Sequence, residues 1–216
     1  MSSSGEIERI GIRSNLYAIL ALSFSKPKDD VEKLYAAILG ANESLGLSED
    51  VASEGHDPGC PSISNLTKEY LRLFVGPGHV HCPPYESAHR KDRPKPERGL
   101  VMGPSTADVR RRYAAAGLGV SESFTDLPDH IAAEMEFMHF LCAEESKFRH
   151  QVNDEEAKRH RIIERDFLND HIEPWVAAFA DCVLASTNST FYKAAANLLK
   201  GFTKSEVDHF REGNIE

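Results

Sequence analysis

The sequence predicts an all-α fold, and three observations carry that expectation. Apolar residues recur at intervals of three and four almost throughout, no stretch alternates apolar and polar with β-branched enrichment, and no Gly-rich turn joins a strand to a helix. At 216 residues, 41% hydrophobic and 27% charged, the chain can bury one large core. A single helical bundle over residues 1–216 is expected, with flexible segments near 41–62 and 76–104.

Each element has its own signal. Ile7, Ile10, Tyr17, Ala21 and Phe24 share one helical face, and Pro27 ends that helix shortly afterwards. Val31, Leu34, Tyr35 and Ile38 make a second helix, which Gly40 is expected to close. Residues 41–62 are rich in Gly, Ser, Pro and acid and read as an excursion. Leu66, Tyr70, Leu73 and Phe74 form a third helix ending at Gly76. Residues 76–104 hold six of the eleven prolines and show no helical period, as a functional or disordered connection would. Ser105 is then placed to cap the helix of Val109, Tyr113 and Ala116, which stops at Gly117. Pro128 suits the first turn of the next, which carries Ile131, Met135, Met138, Leu141 and Cys142. Asn153 caps a helix bearing Ile162, Ile163, Phe167 and Leu168, which must break or kink near Pro174. Phe191, Ala195, Leu198, Leu199 and Phe202 predict a last long helix.

Composition narrows the function. With 25 basic against 34 acidic residues the net charge is -9, which disfavours nucleic acid and favours a basic partner. The longest apolar run, Leu16 to Phe24, is about half of what a membrane span requires, so no stable membrane insertion is expected. The first residues show no basic cluster before an apolar core, and a cytoplasmic protein is expected. Cys60, Cys82, Cys142 and Cys182 are widely spaced without a CxxC, which fits reduced, mostly buried thiols.

The stretch "LFVGPGHVHCPPYESAHR", residues 73–90, concentrates the chemistry. A metal enzyme using His79, His81 and Glu86 is one reading, with His56, Cys60, Cys82 and His89 near in sequence, although the spacing matches no specific ligand pattern. Ser87 and Cys82 lack a nucleophile elbow, and no phosphate loop is present. The alternative is a presented surface. Pro83-Pro84 fixes two backbone angles and holds Tyr85, Glu86 and Ser87 in a defined direction, so a rigid loop with an aromatic ring and exposed carboxylates suits a peptide with apolar and basic residues. Downstream, Asp129 favours a helix start, and His130 and Glu134, four apart, share a face with Phe137 and Leu141. A half-buried Glu134 needs a partner, and His130 lies one turn away.

These motifs, "EYLRLFVGPGHVHCPPYESAHR" with "VMGPST" and "PDHIAAEMEFMHFL", together with the closing "DFLNDHIEPWVAAFADCV" and "FYKAAANLLKGF", resemble the TorD/DmsD/NarJ-like redox-enzyme maturation chaperones over roughly residues 7–203. The resemblance implies an all-helical cytoplasmic chaperone, without catalytic turnover or a cofactor of its own. Such a protein binds the twin-arginine signal peptide and apo form of one molybdopterin oxidoreductase until cofactor insertion. It also places Tyr70, Leu73 and Phe74 at the family's groove positions, Pro83, Pro84, Tyr85 and Ser87 at its proline-aromatic loop, Gly103 at its following glycine, and Asp129 with His130 at its Asp-His pair. Gly76, Glu86 and Glu134 complete the expected peptide-binding set. Gly78 and His89 stand where some members have tryptophan, which makes a groove here less apolar. The client, any binding of guanine nucleotide or molybdopterin, and the choice between monomer and swapped homodimer stay open. A permanent helical assembly subunit of a redox complex is the remaining alternative.

Overall fold

The computed structural model describes residues 3–28, 30–47, 61–76, 81–91, 101–119 and 126–212. Among these the chain is helical, and an isolated antiparallel bridge joins Tyr85 to His130. Helix α1 (Ser3–Ser23) buries Ile10, Tyr17 and Leu20 on one face, with Phe24 just beyond it, and stops before Pro27. Helix α2 (Val31–Ser44) corrects the expected stop at Gly40. That glycine has open space around it, and the helix continues because Asn42 donates from Nδ2 to Ile38 O (2.9 Å) and to Ala194 O on the last helix (3.0 Å). The first residues of the expected excursion at 41–62 are therefore helical, and Gly46 at φ 68° marks the actual exit.

Helix α3 (Ile63–Tyr70), capped by Ser62, passes into a π-helical turn, Leu71–Val75. Gly76 ends it at φ 90°, a conformation open to glycine and strained for other residues. Within the expected irregular segment at 76–104 lies a short helix, α4 (Glu86–His89), too brief for periodicity to show. Helix α5 (Pro104–Ala115) is capped by Gly103, not Ser105; Pro104 takes the first helical position and Ser105 is buried inside the first turn. Gly117 at φ 78° follows its end.

Helix α6 (Ile131–His150) begins three residues later than Pro128, because Pro128 is spent in the turn that brings His130 to the cap. Helix α7 (Asp154–Phe167) is capped by Asn153 as expected, and a second π-helical turn, Leu168–Ile172, leads into α8 (Glu173–Ser186). Pro174 lacks the N–H that would bond to Asp170 O, and that carbonyl accepts from Arg90 Nη1 instead (2.6 Å). Helix α9 (Thr190–Glu212) closes the described chain.

α1 packs along α6, α6 against α7, α8 against α9, and α2 against α9. An aromatic cluster fills one end of the core: Phe74 contacts Tyr70, Tyr192 and Phe179, and Phe179 contacts Phe24 and Trp175. No helix among the described residues is long and apolar enough to cross a membrane.

Candidate functional site

Two backbone hydrogen bonds place the proline-aromatic segment on the start of α6. Glu86 N donates to Asp129 O (2.9 Å) and Ile131 N donates to Pro84 O (2.8 Å), so Tyr85 and His130 lie side by side. Their rings meet edge to face at 5.5 Å. The Asp129 carboxylate accepts from Ser87 N (3.1 Å) and so ties down the first turn of α4. His130 is an unusual cap: its Nδ1 accepts from Ala132 N (3.1 Å), which leaves that nitrogen without a proton and puts the ring proton on Nε2. Burial lowers the His130 pKa, with Asp126 and Asp129 opposing, in keeping with a neutral ring.

Behind this bridge lies a buried polar network. Glu86 receives Arg90 Nη1 on one oxygen (2.6 Å) and faces His171 Nδ1 with the other (2.9 Å). The second ring nitrogen of His171 faces Asp108 (3.3 Å). Glu134 accepts from Trp175 Nε1 (3.2 Å), and its other oxygen has no donor in reach. Burial, then the neighbouring Glu86 and Asp129 carboxylates, push the Glu134 pKa well up. The rise favours the protonated form of Glu134, and a side-chain hydrogen bond with Glu86 is among its causes. Tyr113 closes the network by donating to Pro128 O (2.9 Å).

The structure thus corrects the picture of exposed carboxylates: Glu86, Asp129 and Glu134 are fully buried, and His130 and Ser87 nearly so. Glu86 is buried with Arg90 and His171 beside it, whereas Asp129 accepts from Ser87 N on one oxygen and its Oδ1 has no partner among the described residues. Tyr70, Leu73 and Phe74 likewise belong to the aromatic core, not to an open groove, and Pro84 is covered. Of the expected set, Gly76, Pro83, Tyr85 and Gly103 remain partly exposed. Sequence reasoning missed Asp126, which accepts from the Tyr85 hydroxyl (2.5 Å) and whose side chain is 37% exposed. It also missed Arg90 and His171. Arg90 stands four residues after Glu86, a spacing that would have signalled the pair had α4 been anticipated.

The expectation of reduced thiols is corrected as well. Cys82 and Cys182 are joined as a disulfide with Cα atoms 5.9 Å apart, Cys82 being held by its N–H to Leu73 O and set against α8, while Cys142 is buried and free. A metal held by His79, His81 and Glu86 does not suit what is built: Glu86 is committed to Arg90 and His171, and His89 Nε2 lies 2.7 Å from Pro83 O. His56, Cys60, Gly78 and His79 lie outside the described residues.

The described residues thus set a proline-aromatic segment over a buried acid-histidine network within an all-helical core. The family model described as nitrate reductase delta subunit matches residues 41–181, and the chain belongs to that family. Among its relatives, the perchlorate reductase assembly chaperone of Dechloromonas aromatica is 27% identical over 96% of this chain and 95% of its own length. The chaperone protein TorD of Shewanella pealeana is 23% identical over 91% and 89%. TorD of Vibrio cholerae is 23% identical over 65% of this chain and 60% of its own length. A crystal structure from Archaeoglobus fulgidus, described as a redox enzyme maturation protein, superposes with a TM-score of 0.55 at 25% identity, covering 89% of this chain and 94% of that one. These relatives are named as chaperones, not as enzymes, and the class is that of redox-enzyme maturation chaperones.

Proposed function

We propose that this chain is the dedicated chaperone of one molybdopterin oxidoreductase, acting in the cytoplasm on its apo form and binding its twin-arginine signal peptide until the cofactor is in place. The observation that carries the peptide half is Tyr85. Its half-exposed ring sits on a backbone pinned on both sides, and its hydroxyl rests on the accessible carboxylate of Asp126. An aromatic face beside an anionic group, held still before the ligand arrives, complements a segment that joins arginines to apolar residues. In this reading Pro83, Tyr85 and Asp126 touch the peptide. Glu86, Ser87, Asp129, His130 and Glu134 position them, and Tyr70, Leu73 and Phe74 support the segment from the core.

The test is calorimetric titration of a synthetic leader into the folded protein and into Tyr85→Ala and Asp126→Asn. Each substitution is expected to weaken binding at least tenfold, and the unsubstituted protein should lose affinity as salt rises, because partly exposed charges are screened over about 8 to 10 Å. Part of the affinity should survive high salt, since apolar burial is not screened. Unchanged affinity in both variants would reduce the segment to scaffold. Because the family's description speaks of a subunit, co-purification separates the assembly-subunit alternative: a subunit stays in the mature enzyme, and a chaperone leaves.

A further inference from the structure

We propose that Cys82 and Cys182 form a reversible thiol–disulfide site, oxidised by low-molecular-weight disulfides and reduced by low-molecular-weight thiols, that sets the order of the Pro83–Ser87 segment. Cys82 stands immediately before Pro83 and is fully buried, and its N–H donates to Leu73 O in the first π-turn (2.9 Å). Cys182 lies 100 residues later on α8 and is only half-buried. The bond therefore fastens the entrance of the candidate site to a helix distant in sequence.

The surroundings suit both redox states. Ser186 Oγ lies 3.5 Å from Cys82 Sγ, and the His81 carbonyl lies 3.2 Å from Cys182 Sγ. Each sulfur thus has an oxygen at hand to accept an S–H when the bond is open. Arg72 holds the same end of α8 to α3 by donating to Ser186 O (2.5 Å) while paired with Glu69, so opening the bond does not by itself release the helix. What it releases is the Cys82 end of the segment.

The exposure difference orders the chemistry. A small thiolate reaches the outer sulfur, attacks Cys182 Sγ and expels the Cys82 thiolate, leaving a mixed disulfide on Cys182; a second thiolate then releases Cys182 and carries away the small disulfide. In the oxidising direction the Cys182 thiolate attacks the small disulfide and expels one thiolate. Cys82 then attacks Cys182 Sγ and expels the other. The balance is two protein thiols plus one small disulfide giving one protein disulfide plus two small thiols. In a reducing compartment a pair of this kind cycles instead of serving as a permanent staple.

The oxidised state should present Tyr85 with less disorder to remove on binding, so its affinity for leader should exceed that of the reduced state; that consequence rests on the peptide-binding reading above. The test uses the full chain equilibrated in glutathione buffers of graded ratio, quenched, alkylated and mapped by mass. Cys82 and Cys182 should be protected together along one two-electron curve. Independent curves, or a mixed disulfide persisting on Cys182 while Cys82 stays reduced, would overturn the pair. Hydrogen exchange gives a readout that needs no leader: on reduction the amides of Cys82, Glu86 and Ser87 should exchange at least tenfold faster while that of Met138 does not change. The half-exposed substitution Cys182→Ser should reproduce the reduced pattern, and equal exchange in the two states would refute control of segment order. If neither state binds leader, the peptide reading fails while the mapped curve and the exchange still decide the pair.

Discussion

Glu86 and Glu134 share one buried network but play unlike parts in it. Glu86 meets Arg90 and His171, whereas Glu134 meets only the indole N–H of Trp175 and a neighbouring acid. Replacing Glu134 by Gln therefore exchanges one neutral group for another of similar shape, and urea unfolding should show a loss below about 1 kcal/mol. Glu86→Gln strands Arg90 beside a neutral amide in a dry site and should cost about 3 to 5 kcal/mol. Equal losses would mean that Glu134 is ionised and that the proton is misplaced. The Asp129-His130 pair and the Pro-Pro-Tyr-Glu-Ser run were legible in the sequence because they are contiguous. Their burial was not, because His171, which meets Glu86, and Trp175, which meets the neighbouring Glu134, come from the second π-turn and α8, more than forty positions after Glu134 or Glu86 in the chain. Read alone, Glu86 in a proline-rich segment looks exposed.

At the level of elements, the helical periods located nearly every helix and misplaced several ends. Gly40, Ser105 and Pro128 carry ordinary boundary chemistry, yet the boundary was decided elsewhere: by Asn42 reaching α9, by Gly103-Pro104, and by His130. The two π-turns left no periodic trace. Each nevertheless serves the candidate site, one by offering Leu73 O to Cys82, the other by carrying His171 and freeing Asp170 O for Arg90. The start of α6 is the element most exposed to test. His130→Ala removes the side-chain acceptor for Ala132 N and should cost about 0.5 to 2 kcal/mol, while His130→Asn restores a favourable cap and should recover most of it. Equal losses in denaturant titrations would show that the ring matters through Tyr85 and not as a cap.

Across the whole molecule, a second charged cluster joins elements far apart in the chain, and no local pattern marks it because its members come from α1, α6, α7 and α9. Arg13 Nε donates to both oxygens of Glu206 (2.9 Å each), its Nη2 to Glu164 (2.7 Å), and its Nη1 faces Glu145 at 3.9 Å. Tyr17 donates to Glu206, Cys142 to Glu164, and Arg149 reaches Glu145, while Arg13 and Arg161 both lie over the Phe210 ring. Glu145 is also paired with Arg149 (3.0 Å) and faced by Arg161 (3.9 Å), so Arg13 is left to serve chiefly the two buried carboxyl groups of Glu164 and Glu206. Burial outweighs the opposing pull of Arg13 and pushes the Glu164 pKa up to about 8. A folded-state value above the ordinary 4.5 means that the folded protein binds a proton which the unfolded chain gives up in that window. The stability this proton contributes is present in full below about 4.5 and is lost as pH rises through about 8. Glu164→Gln fixes the neutral form, so the variant and the natural protein should unfold at similar urea concentrations near pH 5. Toward pH 9 the natural protein should become the weaker of the two, because it alone must ionise a carboxyl in a crowded, dry site. Titrations at Tyr17, Cys142 and His209 are common to both proteins and cancel in the comparison to the extent that the substitution leaves them unperturbed. Parallel profiles across this range would place the proton outside Glu164 and end the argument that the cluster is held together by one neutral acid.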